Sequence, residues 1–171
     1  MRTIVVYSSL TGNTKKVGEA IASGLPAGTE AVSIKDVPAD LADYDCVFVG
    51  FWVDRGTADK ATADLLPKLR NKHVVLFATL GANPKSPHAA ESLDKAAELL
   101  PEGKTPVGKF ICQGAVDPKV IEMMYKQFPK GHVHGQSPER DALHAQAATH
   151  PDEADLAAAK KFAEETMAKI S

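Results

Sequence analysis

Cysteine and net charge are both scarce in this chain, and each shortage closes off a class of function. The two cysteines among 171 residues, Cys46 and Cys112, both fall in apolar runs that read as buried strands. They are expected as small core residues and not as a disulfide. Twenty basic against twenty-two acidic side chains leave a formal charge of −2, which gives no strong electrostatic case for nucleic acid or an anionic membrane. No apolar run approaches the roughly 20 residues needed to span a bilayer. Met1-Arg2-Thr3 leads straight into a strand with no apolar leader segment, so the expected location is cytoplasmic. Internal repeats and low-complexity linkers are also missing. What remains is an ordinary globular composition, 44% hydrophobic and 25% charged, long enough for one domain, residues 1–171, with a real core.

Apolar runs alternate with amphipathic stretches. Strands are expected over Arg2–Tyr7, Glu30–Ile34, Cys46–Gly50, His73–Thr79 and Lys109–Gln113, mostly as continuous apolar runs covered on both faces. Helices are expected over Asn13–Gly24, Thr57–Arg70, Ser86–Leu100 and Asp155–Ile170. Pro67 forbids a regular interior in the second of these, while Ser86-Pro87 is a helix start signal. The alternation describes an open α/β fold with a parallel sheet.

The most informative stretch is residues 4–16, IVVYSSLTGNTKK. A strand runs into hydroxyls, a glycine and an amide, and a helix begins directly after. Ser8, Ser9, Thr11 and Thr14 supply neutral donors, and Gly12 lets the backbone turn tightly. The helix would aim its free N–H groups and positive dipole end at the loop, which makes a phosphate socket. A helix-capping, Ser/Thr-rich turn is the plainer alternative. The glycine spacings of a Walker loop and of a dinucleotide fingerprint are both absent. So are the acidic residues of a receiver domain and the cysteine and arginine of a low-molecular-weight phosphatase.

Ser9-Leu10-Thr11-Gly12-Asn13-Thr14 resembles the phosphate-binding loop of the flavodoxins, S/T-x-T-G-N-T. That family holds the phosphate of FMN without a basic side chain, in keeping with a loop that has no lysine. The resemblance implies a three-layer, doubly wound sandwich with a five-stranded parallel sheet of order 2-1-3-4-5. In such a sheet the ligand lies beyond the carboxyl ends of the strands, at the switch in strand order. The loops after strands one, three and four must then carry the site.

The loop after strand three is expected to be Gly50-Phe51-Trp52-Val53-Asp54-Arg55-Gly56. Trp52, the only tryptophan, resembles the loop aromatic with which flavodoxins stack on the flavin ring; a cap over the core is the alternative. Flavodoxins often set a glycine beside that aromatic, whereas Val53 resists positive φ. Gly56 could serve if the loop is bulged; otherwise the half-reduced flavin is stabilised less. Asp54 and Arg55 read first as solvated charges, and Arg55 as a candidate contact for an anionic substrate or partner carboxylate. The loop after strand four, Thr79 to Ser86, offers Thr79, Gly81, Ala82 and Asn83 to the pyrimidine end of the ring. The tyrosine many flavodoxins place there is missing, so one ring face is open or covered by another segment.

That other segment is 115–151, an insertion relative to short flavodoxins, with expected helices over Pro118–Phe128 and Pro138–Ala148. It holds or ends on His132, His134, His144 and His150; the pair His132-x-His134 reads as part of a solvent-exposed loop in preference to a metal site, because no cysteine or tight carboxylate pair lies nearby in sequence to supply a third ligand. His88 could face the site. Asp152, Glu153 and Asp155 suit the start of the last helix. The resemblance implies an FMN-binding redox protein that passes electrons to a dedicated partner, a reductase or oxidase docking near Phe51 and Trp52. The alternative is an oxidoreductase acting directly on a quinone or tetrapyrrole-like substrate. Relatives of both kinds exist, protoporphyrinogen oxidases and partners of bilin reductases among them. A flavin-free interaction module is a third reading.

Overall fold

The computed structural model describes residues 1–37, 41–132 and 135–171. Five parallel strands, β1 (Thr3–Tyr7), β2 (Ala31–Ser33), β3 (Cys46–Asp54), β5 (His73–Leu80) and β6 (Gly108–Gln113), form the sheet. A two-residue strand, β4 (Thr57–Ala58), pairs antiparallel with the end of β3. The order is β2-β1-β3-β5-β6. With the short β4 left out of the numbering, this is the expected 2-1-3-4-5.

Residues alternate across the sheet and so build two cores. On one face, Val5, Phe48 and Phe77 pack with Val17 and Ile21 of helix α1 (Asn13–Ser23) and with Ala159 and Ala163 of helix α6 (Glu153–Ile170). On the other, Val47, Val49, Phe51 and Leu76 pack with Leu66 and with Leu93 and Ala96 of helix α3 (Pro87–Ala97). Both faces of the central strands are thus dry, which is why their sequences read as unbroken apolar runs. Cys46 and Cys112 are buried free thiols in these strands, and burial pushes each up to about 12.

Two expectations fail here. Strand β3 does not end at Gly50 but runs on to Asp54, keeping register with β5 as far as Trp52 opposite Thr79. Phe51 and Val53 continue the apolar alternation, so the ladder persists. The chain then reverses through Arg55 (φ 52°) and Gly56 (φ 82°) into β4. Two central residues at positive φ make the tight turn whose twist suits a two-residue hairpin.

Nor is 57–70 one helix. It divides into β4, a short helix α2 (Lys60–Leu65) and a 3-10 turn over Leu66–Lys68. Pro67 lacks the N–H that an α-helical interior requires, and the tighter turn accommodates it. Elsewhere the expected helices stand within a few residues. Ser86 caps α3 by accepting from the Ala89 N–H. Helices α4 (Pro118–Gln127) and α5 (Pro138–Ala147) lie in the segment between β6 and α6. Helix α4 buries no residue, and α5 buries only Ala147.

Candidate functional site

The loop after β1 is built around Gly12, whose φ of 98° is open to glycine at little cost. It caps α1 without a side chain, and its carbonyl accepts the helix's first regular bond from Lys16 N–H, at 3.1 Å. A helix begins with four N–H groups that have no partner within it. Ser9 Oγ takes those of Gly12 (3.0 Å) and Lys15 (3.3 Å). Among the described residues nothing takes those of Asn13 and Thr14. Leu10 and Thr11 are exposed at the tip. Lys15 and Lys16 lie outside the loop on the exposed side of α1, Lys15 beside Glu19 at 4.0 Å.

Not every expected donor is available. Ser8 Oγ donates to the buried carboxylate of Asp59 at 2.7 Å, and Thr62 Oγ1 donates to the other oxygen at 3.0 Å. Ser8 therefore ties the loop to the residue following the β3–β4 hairpin. Asn13 Nδ2 donates to the Ala115 carbonyl at 2.9 Å and to Thr11 Oγ1 at 3.3 Å, so both amide hydrogens point into the protein's own structure. Thr14, buried, meets Thr79 Oγ1 at 2.9 Å. When Thr79 is the donor in that pair, the Thr14 hydrogen stays free for an anion.

The three expected loops do converge. Trp52 is half-buried in β3, and in register with Thr79, whose hydroxyl touches Thr14. Strand alternation puts Trp52 on the same sheet face as Phe48 and α1, the helix that opens from the loop after β1. Phe51 points the other way and is fully buried in the α3-side core, so only its backbone is available to a ligand. Val53 also packs on that core. The hairpin tip leans on α3: a Cβ built on Gly56 would lie 3.8 Å from His88 Cε1 and 4.0 Å from Lys95 Nζ. His88 is thus an exposed neighbour of the turn, and Arg55 is exposed at its tip.

The loop after β5 differs most from expectation. A Cβ on Gly81 would fall 2.3 Å from Val116 Cγ2, so the close approach this glycine permits is made by the protein's own segment after β6. Its carbonyl accepts from Gln113 Nε2 at 3.2 Å. Asn83 Oδ1 accepts from Lys85 N–H, and its carbonyl accepts from Ser86, which spends these groups on the turn into α3. Ala82 is half-buried between them. The segment Gly114–Val116 packs against the loops after β1 and β5, a neighbour that motif reading missed. The signal for it was positional, since it follows a parallel strand's carboxyl end as the other three loops do.

Among the histidines, His150 Nδ1 lies 2.5 Å from Asp155 Oδ2 and 3.7 Å from Asp152 Oδ2. Asp152 and Asp155 close a reciprocal capping box on α6. The hydrogen bond to Asp155 raises the His150 pKa above its ordinary value. The Asp155 backbone N–H in turn lowers that of Asp152. These three groups satisfy one another at the positive end of a helix, an arrangement that disfavours a cation. His144 and Tyr125 join α5 to α4 at 3.1 Å, and burial lowers the His144 pKa. The His132 ring stacks on Phe128 with centroids 4.6 Å apart. His134 lies outside the described residues.

The doubly wound sheet is matched by sequence comparison, in which the flavodoxin domain family aligns with residues 4–164. The chain belongs to the flavodoxin family. It is 35% identical to the flavodoxin-like domain-containing protein BilS of Clostridioides difficile (strain CD3), covering 100% of this chain and 99% of that one. A second protein of the same description, from Clostridium symbiosum (strain WAL-14163), is 30% identical over 95% and 94% of the two chains. Among solved structures, oxidised flavodoxin 2 from Bacillus cereus superposes with a TM-score of 0.59 at 16% identity, covering 99% of each chain. Among the described residues, no helix of this flavodoxin-family chain is long and apolar enough to cross a membrane.

Proposed function

We propose that the protein binds FMN and carries electrons to a dedicated redox partner. The observation that carries this reading is the loop of residues 9–14: neutral donors only, at a helix N-terminus, in a flavodoxin-family chain. That donor set suits a phosphate monoester. The Asn13 and Thr14 amides and the Ser9, Thr11 and Thr14 hydroxyls can all donate, and the helix dipole favours the negative charge. Bound FMN would supply the capacity to take up and release electrons singly or in pairs.

The chain's own residues would do the rest. Gly12 brings the backbone donors to one side of the loop. Trp52, with Phe51 and Asp54 through their backbone on the extended β3, would lie against the ring and exclude water from one face. Thr79, Gly81, Ala82 and Asn83 would border the ring edge through main-chain groups, with Val116 beside them. Residues 1–171 are read as one domain in which 115–151 is inserted, and the partner would dock near Trp52.

Titration of the purified protein with FMN, followed by quenching of the single tryptophan, tests the reading. Saturable quenching that a Ser9→Ala, Thr11→Ala double variant weakens is the expected result. No quenching and no retained flavin would refute it. Chemically reduced protein should reoxidise slowly with quinone or tetrapyrrole acceptors alone; rapid turnover without a partner would instead favour a direct oxidoreductase.

A further inference from the structure

The segment after β6 is held to both neighbouring loops by contacts that have no counterpart in the phosphate-loop motif itself. Gly114 N–H donates to the Leu80 carbonyl at 2.9 Å, extending the β5–β6 pairing past the end of the sheet. Asn13 Nδ2 donates to the next carbonyl, that of Ala115. Val116 covers Gly81 so closely that a Cβ at that position would force the Val116 side chain to shift. Gly114 is packed on Asn13: a Cβ there would stand 3.2 Å from Nδ2 and 3.3 Å from the Asn13 Cβ. The far end is fixed as well, because Ala115 N–H donates to the His150 carbonyl at 2.9 Å, and His150 is bound to Asp155 at the start of α6. Ala115 thus has its N–H on one end of the 115–151 segment and its C=O on the phosphate loop.

From these contacts we infer that Gly114–Val116 forms a fourth wall of the ligand site, and that Asn13 is the positioning residue that holds it there. The inference rests on the FMN reading of the same site. Asn13 lies in the phosphate loop, yet its side chain serves the wall and leaves only its backbone N–H for an anion. A ligand that fixes the loop must therefore also fix the entry to α4. By linkage, whatever fixes that entry must tighten ligand binding.

Hydrogen exchange of the full-length protein, measured with and without saturating FMN, tests this alongside the binding constant. In the wild type, FMN should slow exchange over residues 114–128 as well as over the loop. Asn13→Ala should bind FMN about fivefold more weakly, the value of one neutral hydrogen bond, and the FMN-dependent slowing over 114–128 should disappear while slowing in the loop persists. Gly114→Ala places a methyl against Asn13 but removes no donor from the loop, and it should give the same exchange pattern. FMN binding that leaves 114–128 unchanged in the wild type would overturn the inference. So would variants that weaken binding but keep the slowing over 114–128, since Asn13 would then act on the ligand directly. Absence of FMN binding altogether would instead refute the functional reading, and this inference with it.

Discussion

The Thr14–Thr79 hydroxyl pair separates what holds the site together from what holds a ligand. Both groups are buried, 1% and 4% exposed, and they lie 2.9 Å apart. Thr14→Val keeps the shape and deletes one hydroxyl, which strands that of Thr79 away from water. An unpartnered buried polar group costs about 1–3 kcal/mol. With about 2 kcal/mol lost and a urea slope of about 2.5 kcal/mol per molar, the unfolding midpoint of the FMN-free protein should fall by roughly 0.8 M. Replacing both partners by apolar groups of the same shape is nearly neutral, so Thr14→Val with Thr79→Val should recover most of that loss.

Affinity should behave differently. A hydroxyl bonded to a charged acceptor contributes about 2 kcal/mol, or roughly thirtyfold in the binding constant. Both the single and the double variant should therefore bind FMN about thirtyfold more weakly. Urea unfolding and tryptophan quenching read the two effects on the same samples. A double variant as unstable as the single one would refute the assignment of the lost stability to an unpaired hydroxyl. Unchanged FMN binding in both would refute Thr14 as a phosphate donor.

Three further outcomes follow from the geometry. The raised pKa of His150 means that its bond to Asp155 contributes stability fully below the unfolded value of about 6.5 and loses it as pH rises through the higher folded value. Urea melts should therefore show His150→Ala more destabilised relative to wild type at pH 6 than at pH 9, and an equal difference at both would exclude the linkage. Cys46 and Cys112, buried and raised to about 12, should react with a thiol reagent at pH 8 only as fast as the chain opens, so prompt labelling of the native protein would contradict their placement. Arg55 sits at positive φ (52°), where asparagine is more comfortable. Arg55→Asn should stabilise the protein by about 0.5–1 kcal/mol, and a lower unfolding midpoint would show that Arg55 makes a compensating contact.

Near-neutral charge bears on how the proposed partner would be met. With −2 overall, long-range steering toward basic partners is weak. Encounter would depend on local shape and on the residues around Trp52 and α4, where Met123 is 64% exposed.

The sequence alone determined the alternation of strands and helices, the helix start at Ser86 and the loop of residues 9–14, whereas the strand order came with the family resemblance that this loop carries. The first three are written in contiguous residues whose local chemistry is decisive: a glycine at positive φ, an oxygen side chain at an N-cap, unbroken apolar runs between two helical layers. The run from Gly50 to Gly56 misled because its residues tolerate both loop and strand, and pairing with β5, 27 residues away, decided between them. The same is true of Asn13, Gly81 and Gly114. Their motifs permit contact with a ligand, but only tertiary packing brought Ala115 and Val116 against them. Local signals fix what a segment can do, whereas the partner across a gap of 100 residues, such as Ala115 for Asn13, is settled by how the two cores close on the sheet.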